Sequence, residues 1–324
     1  MKLPTQAKVW HNGELVEWRD AQVHVATHAL HYATSVFEGL RGYATGRGYA
    51  TGHGGATGHG GATGHGTAIV QLDAHVKRLL DSCRICELPL RWDFAQVREA
   101  VLATVRANGF KSCYIRPLVF RGCGALGVDP SHSPVDMSVI VIEHGAHFGP
   151  EAYARGIAMC VSSWRRMAPD TLPTMAKAAA NYLNSMHILL EARGNGFDDG
   201  IALDHEGYLS EGSGANLFVV ARGKLFTPSL GSSILEGVTR GCVLTLAREL
   251  GLEVLETRIP REMLYVADEV FVTGTAAEVT PVRSIDRKPI GAGARGPLTE
   301  RLQQAYLAIV RGEVADRHGW LTPV

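Results

Sequence analysis

The chain has 324 residues, enough for two domains at roughly 100–200 residues each. Lys+Arg and Asp+Glu are both 32, so no overall field draws nucleic acid or an anionic membrane, and 46% hydrophobic with 20% charged residues suits a globular core. There is no signal-like apolar run at Met1–Gln6, no stretch of about 18 apolar residues to span a bilayer, and six cysteines make no disulfide scaffold in a chain this long, so a cytoplasmic protein is expected.

Val9 to Val16 reads as a hairpin turning at Asn12-Gly13, a pair suited to positive φ. His24 to Tyr32 leads through a tight passage into a strand from Ser35 to Tyr43. Residues 44–67 form a near-exact hexapeptide repeat with almost no large apolar side chains, which cannot bury a core. It is expected as a flexible loop at a hairpin tip, since closure entropy grows only as the logarithm of loop length. Its His53, His59 and His65 could chelate a metal, which leaves open a histidine-repeat metal-binding or interaction protein; no metal centre is expected in the folded core.

Asp73 to Cys83 opens a helix, with Val76, Leu79, Leu80 and Cys83 at helical spacing. The Cys83-x-x-Cys86 pair falls inside that pattern and reads as core packing. Asp93 caps a second helix that runs to Asn108 and stops at Gly109. Ser112 to Arg121 is a strand whose alternation puts Tyr114, Arg116, Leu118 and Phe120 on one face. Met137 to Glu143 and Ile157 to Trp164 are further strands. Between them, 145–156 carries three glycines and a proline, and is the expected linker between a unit over 1–144 and one over 157–324.

A helix should follow Lys177, run to about Arg193 and end at Gly194-Asn195-Gly196. A dense β run comes next: Gly200–Asp204, Tyr208–Glu211, Ala215–Val220 and Lys224–Thr227. Val238 to Leu250 is a helix, Glu269 to Thr273 a strand entering Gly274-Thr275-Ala276-Ala277, and Leu298 to about Val310 an amphipathic helix. This mixed order predicts an α+β (mixed α/β) protein with no alternating βαβ train.

One lysine stands out among only seven, in Thr174-Met175-Ala176-Lys177-Ala178-Ala179-Ala180-Asn181-Tyr182. An ammonium among apolar neighbours loses hydration, which favours the neutral amine that a Schiff-base lysine needs. A lysine snorkelling off an alanine-rich helix start would look the same. Schiff-base chemistry suggests pyridoxal phosphate, which also needs an acid for its pyridine nitrogen and a phosphate cradle. Glu211, between a strand and a glycine-rich turn, is the candidate acid. Leu235-Glu236-Gly237-Val238-Thr239-Arg240 leads into a helix whose first N–H groups are free to hold phosphate. Gly274-Thr275-Ala276-Ala277 is a second cradle, and Arg78 a charge-assisted partner.

The order and wording of several blocks make a resemblance specific: His28-Ala29-Leu30-His31-Tyr32, Ser35-Val36-Phe37-Glu38-Gly39, Tyr114-Ile115-Arg116-Pro117, Lys177-Ala178-Ala179-Ala180-Asn181-Tyr182, Ser210-Glu211-Gly212, Gly237-Val238-Thr239-Arg240 and Gly274-Thr275-Ala276-Ala277-Glu278. Over nearly its whole length outside the repeat, the chain resembles the branched-chain-amino-acid aminotransferases of the class IV, fold-type-IV pyridoxal phosphate enzymes. The resemblance implies a small N-terminal α/β domain, a larger C-terminal domain with a pseudo-barrel β core, and pyridoxal 5'-phosphate at their interface. It implies that Lys177 is the Schiff-base lysine and proton shuttle, Glu211 the partner of the pyridine nitrogen and Tyr182 that of the ring oxygen. Arg78, Gly237, Val238, Thr239 and Thr275 match phosphate-binding positions, and Leu235 lies against the ring. Phe37, Gly39, Tyr114, Arg116, Thr275 and Ala276 match the substrate pocket, while Tyr32 and Val128 match positions reaching a neighbouring subunit's pocket, so a homodimer or higher homo-oligomer is implied. The implied reaction moves the amino group of leucine, isoleucine or valine to 2-oxoglutarate. His144 and His147 stand where family members often carry aromatic residues. A D-amino-acid or (R)-amine transaminase, or an aminodeoxychorismate lyase, is the alternative within the same fold.

Overall fold

The computed structural model describes residues 6–45, 66–144 and 149–324; the histidines of the repeat and His147 lie outside them. The first half of the chain builds β1 (Lys8–His11), β2 (Glu14–Glu17), α1 (His28–Tyr32), β3 (Ser35–Phe37), β4 (Leu40–Thr45), β5 (Gly66–Val70), α2 (Leu72–Ile85), α3 (Phe94–Asn108), β6 (Cys113–Arg121) and β7 (Val135–Glu143). Then follow α4 (Pro150–Arg155), β8 (Ile157–Val161), α5 (Asn181–Gly194), β9 (Asp199–Leu203), β10 (Leu209–Gly212), β11 (Asn216–Ala221) and β12 (Lys224–Pro228). The chain closes with α6 (Val238–Glu249), β13 (Val254–Thr257), β14 (Glu269–Gly274), β15 (Glu278–Ile285), β16 (Lys288–Pro289), α7 (Pro297–Val310) and β17 (Leu321–Pro323).

The strands form two sheets. The first runs β17-β5-β4-β6-β7-β1-β2, with β3 also paired to β6, so the end of the chain returns to the first sheet. The second runs β10-β9-β8-β15-β14-β11-β12-β13, and β10 also pairs with β11. That last pairing closes six strands into a barrel, the β core expected for the second half. Alternation sorts its side chains: Leu217 and Val219 join a cluster with Ile157, Ile201 and Val272, while Phe218 and Val220 join one with Val243 of α6 and Leu302 of α7. The latter cluster also takes in Tyr43, Val70 and Trp320, so it ties the first sheet to the second. Among the described residues, no helix is long and apolar enough to cross a membrane.

Local signals place several elements as expected. Asn12 and Gly13 both take positive φ in the β1–β2 turn. Asp93 caps α3 through a capping box in which its side chain accepts from the Gln96 N–H and the Gln96 side chain accepts from the Asp93 N–H. Gly109 ends that helix in the left-handed region. Cys83 is buried within α2, and burial pushes its thiol up to about 12. Thr45 and Gly66 are register partners, so the repeat joins two paired strands.

Four expectations need correction. The strand from Ser35 to Tyr43 is two strands, broken at Glu38-Gly39. The break faces Pro117, where β6 exchanges β3 for β4 as its neighbour and a residue without an N–H leaves no donor orphaned. The strand from Ile157 ends at Val161, not Trp164. The segment 145–156 contains α4, with Pro150 at its first turn. The helix expected directly after Lys177 begins only at Asn181. In addition β13, β15, β16 and β17 were not expected from the sequence.

Asp93→Ala removes one acceptor and leaves the α3 N-terminus uncapped. Denaturant unfolding should show a loss of about 1 kcal/mol, with Asp93→Asn retaining most of it.

Candidate active site

Lys177 lies where the two sheets meet, and its backbone is fixed from both sides. The connection leaving β8 first follows β9: the Ser162 N–H donates to the Ile201 carbonyl at 2.9 Å, and the Arg166 N–H to the Leu203 carbonyl at 2.8 Å. It then crosses to the first sheet, where Ala178 bridges antiparallel to Val36. The Phe37 N–H donates to the Lys177 carbonyl at 3.0 Å, and the Ala179 N–H to the Ser35 carbonyl at 2.9 Å. The Lys177 N–H donates to Ser82 Oγ on α2, also at 3.0 Å. Ala176 and Ala178 are 1% and 5% exposed, packed in the core under the first sheet. The small side chains of Ala176 and Ala178 suit this close approach, whereas Ala179 and Ala180 are half-buried.

The Lys177 Nζ donates to Tyr182 Oη at 2.6 Å and stands 5.2 Å from the centre of the Phe37 ring. The cavity around it gathers thirteen further expected residues: Arg78, Tyr182, Glu211, Leu235, Gly237, Val238, Thr239 and Thr275, and beside them Phe37, Gly39, Tyr114, Arg116 and Ala276. Tyr32 and Val128 do not line it; they are exposed on the outside, Val128 by 80%. The His144 ring meets Tyr114 edge-on at 5.9 Å.

Glu211 is a buried carboxylate with partners on both oxygens. Oε1 pairs with Arg166 at 2.9 Å, and Oε2 accepts from Asn216 Nδ2 and the Leu235 N–H, each at 3.1 Å. Burial raises its pKa; Arg166, the Leu235 N–H, Lys177 and Arg78 work against that rise. Asn216 also donates to the Leu235 carbonyl, and a Cβ at Gly237 would fall 1.9 Å from Asn216 Oδ1, so a side chain there would have to displace Asn216. Gly237 opens α6, whose first turn has no side-chain cap, and Gly237, Val238 and Thr239 line the cavity together with Arg78.

Arg78 is held by Glu38, to which no role was assigned from the sequence. Arg78 Nε and Nη2 donate to the two Glu38 oxygens at 2.6 and 2.9 Å, and Nη1 donates to the Glu236 carbonyl at 2.7 Å. His75 Nδ1, three residues earlier on the same face of α2, donates to Glu38 Oε2 at 2.7 Å. Burial opposes the Glu38 charge, but Arg78 and His75 outweigh it and hold the carboxyl well below the usual carboxylate range. Arg166 was likewise not singled out. The signal for Glu38 was its place between Phe37 and Gly39; Arg166 sits in irregular chain with no local pattern.

On the substrate side, the Arg116 guanidinium lies over the Phe37 ring at 4.5 Å and donates from Nη2 to Tyr114 Oη at 3.1 Å. A Cβ on Gly39 would fall 1.9 Å from that same Tyr114 oxygen.

The family model of class IV aminotransferases matches residues 63–285. The chain is 47% identical to the branched-chain-amino-acid aminotransferase of Salmonella typhimurium and 43% to that of Pseudomonas aeruginosa, each over 98% of this chain and 97% of the relative. Among solved structures it is similar to the branched-chain amino acid aminotransferase of Escherichia coli, with a TM-score of 0.90 at 46% identity, covering 98% of this chain and 99% of that one. It is also similar to the branched-chain amino acid aminotransferase of Thermobaculum terrenum in its PLP form, with a TM-score of 0.87 at 34% identity and 98% of both chains covered.

Glu38→Gln keeps the shape of the buried cluster and removes its charge. At pH 7 the variant should unfold about 3 kcal/mol more easily than the parent chain, since a buried partner is left unpaired. A depressed folded pKa stabilises above the unfolded value and loses that stability as pH falls. The gap should therefore hold down to about pH 5 and narrow progressively as pH falls from the unfolded carboxylate value of about 4.3 toward the much lower folded one. Urea titrations at pH 7 and at about pH 3.5 measure it.

Proposed function

The chain belongs to the class IV aminotransferases, within the branched-chain-amino-acid group, and on that premise we propose that it exchanges an amino group between branched-chain L-amino acids and 2-oxoglutarate, with pyridoxal 5'-phosphate held at Lys177. The observation that carries this reading is the meeting, in one cavity, of an amine hydrogen-bonded to a tyrosine, a buried carboxylate, and an arginine beside an uncapped helix N-terminus. That donor set fits the cofactor: an amine for its aldehyde, an acid for its ring nitrogen, and cationic and amide groups for its phosphate. When bound, the cofactor supplies an electron sink for charge developing at the substrate Cα.

The residues then divide the work. In its free form the Lys177 Nζ would accept the substrate Cα proton and later give it up again. The Tyr182 hydroxyl keeps Nζ directed into the cavity between those steps. Arg78 would offset the charge of the phosphate, the Val238 and Thr239 amides would donate hydrogen bonds to it, and Leu235 would lie against the ring. Tyr114 and the Thr275-Ala276 turn receive the substrate α-carboxylate. Phe37 gives the alkyl chain an apolar wall, and Arg116 meets the second carboxylate of 2-oxoglutarate.

The outer apolar surface supports a second copy as partner. The His28 Nε2 contacts the Gly127 carbonyl at 2.9 Å, which holds α1 against the loop carrying Val128. Val25, Leu30, Tyr32, Leu126 and Val128 are exposed across these two segments. We place Tyr32 and Val128 at a dimer interface; sedimentation should give a dimer or larger, and Leu126→Asp should shift it toward monomer.

The purified protein should be yellow, and borohydride should fix the cofactor to Lys177. With 2-oxoglutarate it should turn over L-leucine, L-isoleucine and L-valine far faster than D-alanine or an (R)-amine, and Lys177→Ala should lose the activity. No turnover of the three L-amino acids by a yellow preparation would reject the substrate assignment and leave the other class IV chemistries standing.

A further inference from the structure

Arg166 belongs to no regular element, yet it is held as firmly as the catalytic lysine. It is 6% exposed and lines the cavity beside Glu211 and Lys177. Its N–H is bonded to β9 at Leu203. Its Nη1 donates to Asn184 Oδ1 at 2.9 Å and lies 3.4 Å from Ser185 Oγ. Asn184 in turn donates Nδ2 to the Arg165 carbonyl at 2.9 Å. Both partners belong to α5, the helix that carries Tyr182 against Lys177. One helix therefore positions a group at each end of the cavity: the hydroxyl at the amine and the guanidinium at the acid.

The acid itself is nearly used up by the protein. An ionised carboxylate has about four acceptor directions. Arg166, Asn216 and the Leu235 N–H fill three of them, and what remains is one direction on a carboxylate that lines the cavity. We propose that Arg166 is a positioning residue that fixes the orientation and charge of Glu211, so that a proton shared with the cofactor's ring nitrogen resides on the nitrogen. The proposal deepens the functional reading above and rests on it.

The physical argument is a competition for one proton. Burial favours the protonated acid, and without a cation at Oε1 a proton shared between Glu211 and a ring nitrogen moves toward the carboxylate. Arg166 cannot be deprotonated, and its charge at Oε1 opposes burial and favours the anionic form of Glu211. The other cations that act on Glu211 are Lys177 and Arg78. Arg78 is already committed to Glu38, and the Lys177 nitrogen, once joined to an aldehyde, is a weaker base whose charge comes and goes with its proton. Only Arg166 keeps both its charge and its contact with the acid once the cavity is loaded.

The test reads the cofactor's spectrum and affinity rather than turnover. A ring nitrogen that loses its proton makes the conjugated Lys177 nitrogen more basic. In Arg166→Met the visible absorbance titration of the loaded protein should move up by about one pH unit or more, and the dissociation constant for pyridoxal 5'-phosphate should rise at least about tenfold. Arg166→Lys should restore most of the titration. In a Glu211→Gln background the same Arg166→Met change should move the titration little, because the residue through which Arg166 acts is gone. An unmoved titration in a folded, loaded Arg166→Met protein overturns the proposal, as does an equal shift with and without Glu211. If Arg166→Met does not fold, Arg166→Gln and Arg166→Lys carry the same comparison. A wild-type protein that takes up no cofactor overturns the functional reading first and this proposal with it.

Discussion

The site depends on a short antiparallel contact between residues 177–179 and β3. Two backbone hydrogen bonds and the Val36–Ala178 bridge lock Lys177 to the first sheet, while the same connection is bonded upstream to β9 of the second. Because the chain is tied at both places, the lysine side chain has little freedom except to point into the space between the sheets. The contact also explains the local composition. Ala176 and Ala178 are buried where the connection crosses α2 and β3, and any larger side chain there would push the strand-like segment off its seat. The alanines serve close approach, and the amine's position follows from it.

Around that seat the electrostatics are arranged in pairs. Glu38 is matched by Arg78 and His75, and Glu211 by Arg166. Buried ion pairs of this kind add little to stability over apolar replacements, because desolvation consumes much of the attraction. Their value is in geometry and in keeping charge where an anionic ligand and a ring nitrogen would need it. The two pairs are built differently. Glu38 engages Arg78 through both oxygens, whereas Glu211 engages Arg166 through one oxygen and presents the other toward Leu235 and Asn216. One pair holds a cation at the cavity wall, and the other holds an anion there.

What could be read from the sequence was what is encoded locally. The cap at Asp93, the stop at Gly109 and the Asn12-Gly13 turn each need only neighbours within a few residues, and each stands as expected. Alanine's high helix propensity favours a helix directly after Lys177, but β3 offers partners for those backbone groups and the helix begins only at Asn181. Strand β15 carries no clear local pattern, because Pro281 and Arg283 interrupt it; pairing with β14 on one side and β8 on the other makes it a strand. The cavity residues were legible as blocks whose order resembles a family, while the ion pairs behind them were not. Glu38 meets its partners 37 and 40 residues further on, with no spacing to mark them.

The substrate side shows how a single wall can meet two unlike side chains. A guanidinium is polar at its edge and weakly hydrated on its flat faces. Arg116 turns one face onto the Phe37 ring and an edge toward the Tyr114 hydroxyl, and its buried Nε has no partner among the described residues. On the proposed reading, a branched alkyl chain would lie against Phe37 without stripping water from a bare ammonium, and a carboxylate would find N–H groups at the rim of the same residue. A lysine in that position could offer only a strongly hydrated point charge, favouring the acidic partner and penalising the aliphatic one. Gly39 is part of the same arrangement, since any side chain there would collide with the Tyr114 oxygen that orients the arginine. The break in the strand at Glu38-Gly39 thus serves both ends of the cavity, sending a carboxylate inward to Arg78 and leaving room for Tyr114 beside Arg116.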